Sequence, residues 1–303
     1  MLHAFDFGRC DAKNIPSYKG SLSSLTASQT YCLFRLLAFV IGSKVRHGDQ
    51  IWELYILLSE ICDIVMAPVV KCEWVSHLDA LVAEFYSSFL FHSPDKVKPK
   101  HHFLLHYPRL LCKFGPLRYL WCMRFEAYHQ RIKRIVKSIG NFKNVAFTIA
   151  KRLQYYKCWE MSGLECLSNE TSETGMSEIN VKDLPHVVIH KLGLNFTDFH
   201  STLPAVKKIH NGIHLYCVND TYVIDVIDDA PVLCVVHYIV LSSKWYLCGE
   251  VLEVLYFARH LHAYAVGNSG LWHAFEPGEE LSHIPLDIYD VGREKFVRLS
   301  HGV

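Results

Sequence analysis

Residues 101–154 read HHFLLHYPRLLCKFGPLRYLWCMRFEAYHQRIKRIVKSIGNFKNVAFTIAKRLQ, and one glutamate, Glu126, stands there in a field of lysine and arginine. A carboxylate among cations is what a metal-dependent nuclease sets beside a phosphate backbone, with Mg or Mn bridging the two. It is equally the composition of an ordinary basic helix with one salt-bridging Glu, and such surface pairs are worth little. Histidines lie upstream, and His106 precedes Glu126 by twenty residues. His102 and His106, four apart, stack on one helix face and suit two ligands of one Zn ion. His101 and His106, five apart, converge only on a distorted helix. Structural zinc takes four protein ligands, and the chain has no CxxC. The histidines therefore make half a site, and packed or solvated histidine is the plainer reading.

The surrounding charge is one-sided. Residues 94–157 carry fifteen lysines and arginines against two acids, Asp95 and Glu126, although the whole chain has a net charge of only +1. Such a stripe reads as an anion-binding surface with nucleic acid, DNA or RNA, as its first candidate. Lys113, Arg118, Arg124, Arg131, Lys133, Arg134, Lys137, Lys143, Lys151 and Arg152 are the candidate phosphate contacts. A solvated helix face is the competing reading.

These side chains need helices to hold them. Periodic apolar residues predict a helix over 25–45, capped by Thr26 or Ser24, a second from Asp49 to about 66, and a third over 74–91. Pro99 opens a short helix over 100–111, bent or broken at Pro108. After the Gly115-Pro116 turn, a long helix over 117–139 is expected. Leu117, Leu120, Trp121, Phe125, Tyr128, Ile132, Ile135 and Ile139 should line its buried face. Cys122, Glu126, His129, Gln130, Lys133 and Lys137 fall opposite. Another helix spans 144–159 and carries Lys151 and Arg152. Residues 1–24 read as a polar arm and 162–184 as a flexible linker. From 185 to 303 the pattern changes to period two, in HVVIHKL, GIHLYCV, TYVIDVI, PVLCVVHYIVL, KWYLCGEVLEVLYF and LHAYAV. The chain is thus α+β: an all-α region over 25–161 followed by a small all-β barrel or sandwich of six to eight strands. Tyr216, Tyr222, Trp245 and Tyr246 are core aromatics or, less simply, base-stacking platforms.

The 303 residues suit about two domains, and half of them are apolar, enough for a sizeable core. Eleven cysteines without framework spacing point to a reducing setting, nuclear or cytoplasmic. No leader pattern is visible, and the apolar runs are too short to span a bilayer, so no membrane partner is expected.

The run PKHHFLLHYPRLLCKFGPLRYLWCMRFEAYHQRIKR…NFKNVAFTIAKRLQ resembles the C-terminal part of animal CACTA (EnSpm)-type DNA transposases. SLSSLTASQTYCLFRLLAFVIG and DQIWELYILLSEICDIVMAPVV are similar to the helical region of the same family. The resemblance implies an RNase H-like core with a helical insertion and three acidic residues holding two Mg or Mn ions. The related V(D)J recombinase catalytic subunit carries an H-x4-H zinc-site pair, then a Trp and a Glu, an arrangement that His101, His106, Trp121 and Glu126 resemble. On that pattern Glu126 is the third metal-binding carboxylate and His101 with His106 is half of the zinc site, while helix geometry prefers His102. The first two catalytic aspartates and the CxxC belong upstream in the family. Asp6 and Asp11 lie in a polar arm, and Asp225, Asp228 and Asp229 follow Glu126, in the wrong order. The expectation is therefore a transposable-element-derived fragment that is catalytically incomplete and binds nucleic acid weakly, with no metal of its own. The alternatives are the C-terminal portion of an active metal-dependent transposase or nuclease, and a non-enzymatic protein-interaction module. In the family the helices beginning at Leu33 and Ile51 pack on the RNase H-like sheet. Without it they expose an apolar face that a homodimer or another partner would cover.

Overall fold

A computed structural model describes residues 5–16, 24–140, 143–162, 172–194, 201–212, 214–300 and 302. The class is α+β, with helices first and a largely antiparallel sheet after them. The first three helices are α1 (Ala27–Ile41), α2 (Gln50–Val65) and α3 (Trp74–His92). Local chemistry explains two of their starts. The Thr26 hydroxyl accepts from the Gln29 N–H, and the Gln29 side chain accepts in return from the Thr26 N–H. Asp49 accepts from the Trp52 N–H at 2.9 Å.

The short helix expected after Pro99 is two pieces, α4 (Pro99–Leu104) and α5 (Tyr107–Phe114). They divide before Pro108, whose ring fits the first turn of a new helix. The long helix expected over 117–139 also starts later. Leu117–Leu120 form a 3-10 turn, Trp121 is extended, and α6 spans Cys122–Ser138. Its partner is α7 (Val145–Ser162).

The expected linker holds structure: β1 (Ser172–Thr174) and β2 (Ser177–Asn180). HVVIHKL, expected as a strand, forms α8 (His186–Lys191) instead. Pro185 sets the entry, and Val188 and Ile189 are buried against the sheet. Here tertiary burial overrides β-branched propensity. The remaining strands are β3 (Thr202–Val206), β4 (Lys208–Asn211), β5 (His214–Cys217), β6 (Thr221–Ile227), β7 (Ala230–Leu241), β8 (Trp245–Ala258), β9 (Ala263–Phe275), β10 (Ser282–Leu286), β11 (Ile288–Val291) and β12 (Glu294–Val297). The main sheet runs β10-β6-β7-β8-β9-β12-β11, with β3 continuing beside β7 and β2 beyond it. A smaller sheet, β1-β4-β5, packs on it through Ile209 and Tyr216. Among the described residues there is no closed barrel.

The helices and the sheet share a core. Cys32, Leu36 and Phe39 of α1 pack on Ala263 and Ala265 of β9, Tyr289 of β11 and Phe296 of β12. Phe7 of the N-terminal segment joins them, so residues around it are tied down rather than free. Trp52 of α2 donates to the His260 carbonyl at 2.9 Å. Leu36, Ile56 and Leu78 are fully buried, and each contributes roughly 1.5–3 kcal/mol. The stripes of α1 and α2 are therefore covered, although Ile51 itself is exposed. A buried polar cluster also ties the layers: His262 Nε2 lies 2.6 Å from Asp63 Oδ2, and Arg298 lies beside Asp63.

Candidate nucleic-acid interface

The histidines occupy α4 and the step into α5. Lys98 precedes α4, and its backbone N–H donates to His101 Nδ1 at 2.9 Å. The His101 ring lies against Phe89, with centroids 4.3 Å apart. His101 is thus spent on starting the helix. His102 and His106 instead face each other, Nε2 to Nε2 at 3.2 Å, with rings at 90°. The backbone stays helical through Leu105 and His106, so the spacing of four brings the two rings together.

Two imidazoles on one tetrahedral Zn, with bonds of about 2.0–2.1 Å, hold their nitrogens roughly 3.3 Å apart. The pair fits two corners of such a shell. Among the described residues no group of three or more His, Cys, Asp or Glu side chains is placed to hold a metal ion. A complete zinc shell is not assembled, and neither is a two-metal carboxylate centre. In titrations with Ni or Zn, His102→Ala and His106→Ala should each remove a weak binding step that His101→Ala leaves intact. The reverse pattern would return His101 to the site.

Glu126 lies on the solvent face of α6, with no hydrogen bond or ion pair among the described residues. Its expected salt bridges are not formed. Asp11 is engaged elsewhere, 3.2 Å from Arg35, and Asp6 accepts from the Gly8 N–H. Asp225 is in β6, and Asp228 and Asp229 form the tight turn to β7 with φ of 50° and 60°. None of these aspartates joins Glu126 in a ligand group.

The cations divide into four sets. Lys133, Arg134 and Lys137 project from α6, and Lys151 from α7; all are exposed and form no ion pair among the described residues. Arg152 donates to the Ser138 hydroxyl at 2.8 Å, and the Arg131 guanidinium sits 3.4 Å from the Tyr156 ring centroid. These two contacts join α6 to α7. Lys113 lies near the Phe114 ring, Lys143 is exposed before α7, and Arg124 is on α6 with its side chain outside the described set. Arg118 turns away from the stripe and donates to the Met66 carbonyl at 3.4 Å.

The expected buried face of α6 is only partly covered: Leu117, Trp121, Ile132 and Ile135 are half-buried. Leu120, Phe125 and Tyr128 are exposed, Phe125 by 65%, and only Ile139 is fully buried. The reason is tertiary. α6 packs chiefly on α7, and among the described residues no strand makes an extensive contact with it. On α7, Phe147, Tyr155 and Trp159 are exposed as well. Uncovered apolar side chains thus occur on α6 and α7, while the stripes of α1 and α2 are covered except at Ile51. Sequence reading missed this because aromatic residues at helical spacing usually signal core. The interleaving of Arg and Lys with Phe, Tyr and Trp was the available clue. In the sheet, Tyr216, Tyr222, Trp245 and Tyr246 are all buried and present no stacking surface.

No family model matches the chain, and neither curated proteins nor solved structures give a match. Among the described residues no helix is long and apolar enough to cross a membrane.

Proposed function

We propose that this chain is a transposable-element-derived protein that binds nucleic acid through α6 and α7 and performs no phosphoryl transfer with its own residues. The observation that carries the binding is the exposure of Lys133, Arg134, Lys137 and Lys151 without acidic partners, beside exposed Phe125, Tyr155 and Trp159. Cations neutralise phosphates without reading sequence, and exposed rings accept unstacked bases. The combination favours single strands over duplex. The transposase origin rests on the resemblance carried by HHFLLHYP and GPLRYLWCMRFE. Glu126 as the descendant of a catalytic carboxylate rests on the same residues.

Fluorescence anisotropy with labelled single-stranded and duplex oligonucleotides tests the reading. The logarithm of the association constant should fall linearly with the logarithm of salt. Four phosphate contacts on a single strand give a slope of about −2.8, at roughly 0.7 per contact. Binding with a slope near zero, or none at low salt, would remove the proposal. The same aromatic surface is open to a second copy of the chain. Sedimentation velocity at assay concentrations separates that use, because a dimer closed over α6 and α7 would lose nucleic-acid binding as protein concentration rises.

A further inference from the structure

An open groove of about 1050 Å³ lies between α5 and the connection from α2 to α3, where residues 68–72 lead into the first turns of α3. Its floor is aliphatic. Leu111 of α5, 2% exposed, belongs to the buried cluster that joins α2, α3 and α5, and Val70 and Val75 pack against that cluster. Pro68, Pro108 and Pro116 also line the groove. A proline ring fixes its own φ, so less order has to be imposed when an occupant binds. Val69 stands at the rim, 73% exposed.

The charge around this floor is one-sided. Arg109 and Lys113 stand one turn apart on α5, and Lys71 comes from the α2–α3 connection. All three are exposed, and none forms an ion pair or hydrogen bond among the described residues. Lys71 Nζ lies 5.6 Å from the Trp74 ring centroid, and Lys113 Nζ lies 5.2 Å from that of Phe114. Against these three cations, Asp79 of α3 is the one acid that lines the groove among the described residues, and it is exposed as well.

The lining selects the kind of occupant. No aromatic ring lines the groove among the described residues, and single-stranded nucleic acid needs rings on which its bases stack. A small molecule ordinarily buries most of its surface in an enclosed pocket, which an open groove does not provide. An amphipathic peptide fits both features. Its apolar anchors seat on an aliphatic floor, and its carboxylates meet the cations at the rim.

We propose that this groove docks an acidic peptide segment of a partner protein. Aliphatic anchors of the segment pack on Val70, Val75 and Leu111, and its Asp or Glu side chains pair with Arg109, Lys113 and Lys71. The site uses no residue of α6 or α7, so it stands or falls without the nucleic-acid reading.

Selection of phage-displayed random dodecapeptides on the full chain tests it, followed by fluorescence anisotropy of the enriched sequences as synthetic peptides. The enriched peptides should combine Asp or Glu with aliphatic residues. Two cysteines supply a footprint: Cys72 and Cys112 line the groove and are exposed, while Cys158 is exposed on α7. At about ten times its Kd, a peptide should slow alkylation of Cys72 and Cys112 by N-ethylmaleimide about tenfold and leave Cys158 unchanged. Arg109→Glu with Lys113→Glu, both at exposed positions, should weaken the peptide about tenfold or more, with folding checked by circular dichroism. Lys182→Glu with Lys208→Glu, exposed in the sheet half, should leave its affinity unchanged. The proposal is overturned if no selected peptide binds at about 100 μM. Enrichment of basic peptides, or equal binding in the α5 double variant, overturns it too. So does protection of Cys158 with Cys72 and Cys112 left reactive, which would seat the peptide on α6 and α7. Protection of Cys72 and Cys112 by an oligo-dT single strand would make the groove a nucleic-acid surface and overturn it as well.

Discussion

Reversing Lys133, Arg134 and Lys137 to Glu together is expected to weaken nucleic-acid binding by about 100-fold or more near 0.1 M salt. The three side chains stand on one stretch of α6, exposed and without acidic partners among the described residues. Each cation that meets a phosphate releases roughly one condensed counterion, worth about tenfold in affinity at this ionic strength. Reversal also places carboxylates where phosphates should sit. The salt slope should flatten by about 2 to 3 units at the same time. Stability should change little, because surface substitutions away from special contacts stay within about 0.5 kcal/mol each. The matched control reverses Lys182, Lys208 and Lys295, exposed positions in the sheet half of the chain. If that control weakened binding as much as the α6 triple, net charge would explain the result and the α6 patch would not.

The second large effect concerns the sheet. Gly249 sits in β8, opposite Val236 of β7 and His273 of β9, so backbone lies on both sides of it. A Cβ added there would come 2.0 Å from the Val235 carbonyl oxygen and 2.9 Å from Cys234 Sγ. A glycine in a strand often marks such a close approach of a neighbouring backbone. The carbonyl cannot swing away without breaking the β7–β8 ladder. Gly249→Ala should therefore destabilise the protein by about 3 kcal/mol or more, at the upper end for overpacking. A thermal melt should show it, with Tm lower by several degrees or the variant recovered only in inclusion bodies. Gly140→Ala is the contrast: nothing lies within 4 Å of its added Cβ, and its Tm should not move. An unchanged Tm for Gly249→Ala would mean that β8 shifts away from β7 at little cost.

The candidate interface was partly legible in the residues. The charge contrast over residues 94–157 needs no fold to be seen, and the exposure of Lys133 and Lys137 agrees with the polar face expected for α6. The choice between His101 and His102 was not legible. It turned on whether Lys98 or a histidine would claim the His101 ring, and the backbone N–H of Lys98 claims it. Arg118 was grouped with the basic stripe, yet it lines a cavity at the helix–sheet seam.

What the sequence by itself determined is local: a cap at Thr26 or Ser24, the Asp49 cap, the period-two strands β5 to β9, and the α+β order. Each depends on residues a few positions apart, whose interactions are the same in any fold. Only the tertiary structure decided which apolar faces are covered. Leu36 is buried because Tyr289 and Phe296, more than 250 residues later, come to lie beside it, while Phe125 has an equally apolar ring and no such neighbour. The same reason turned HVVIHK into a helix. Covering a face takes a partner from a distant part of the chain, and hydrophobic spacing records only the demand for one.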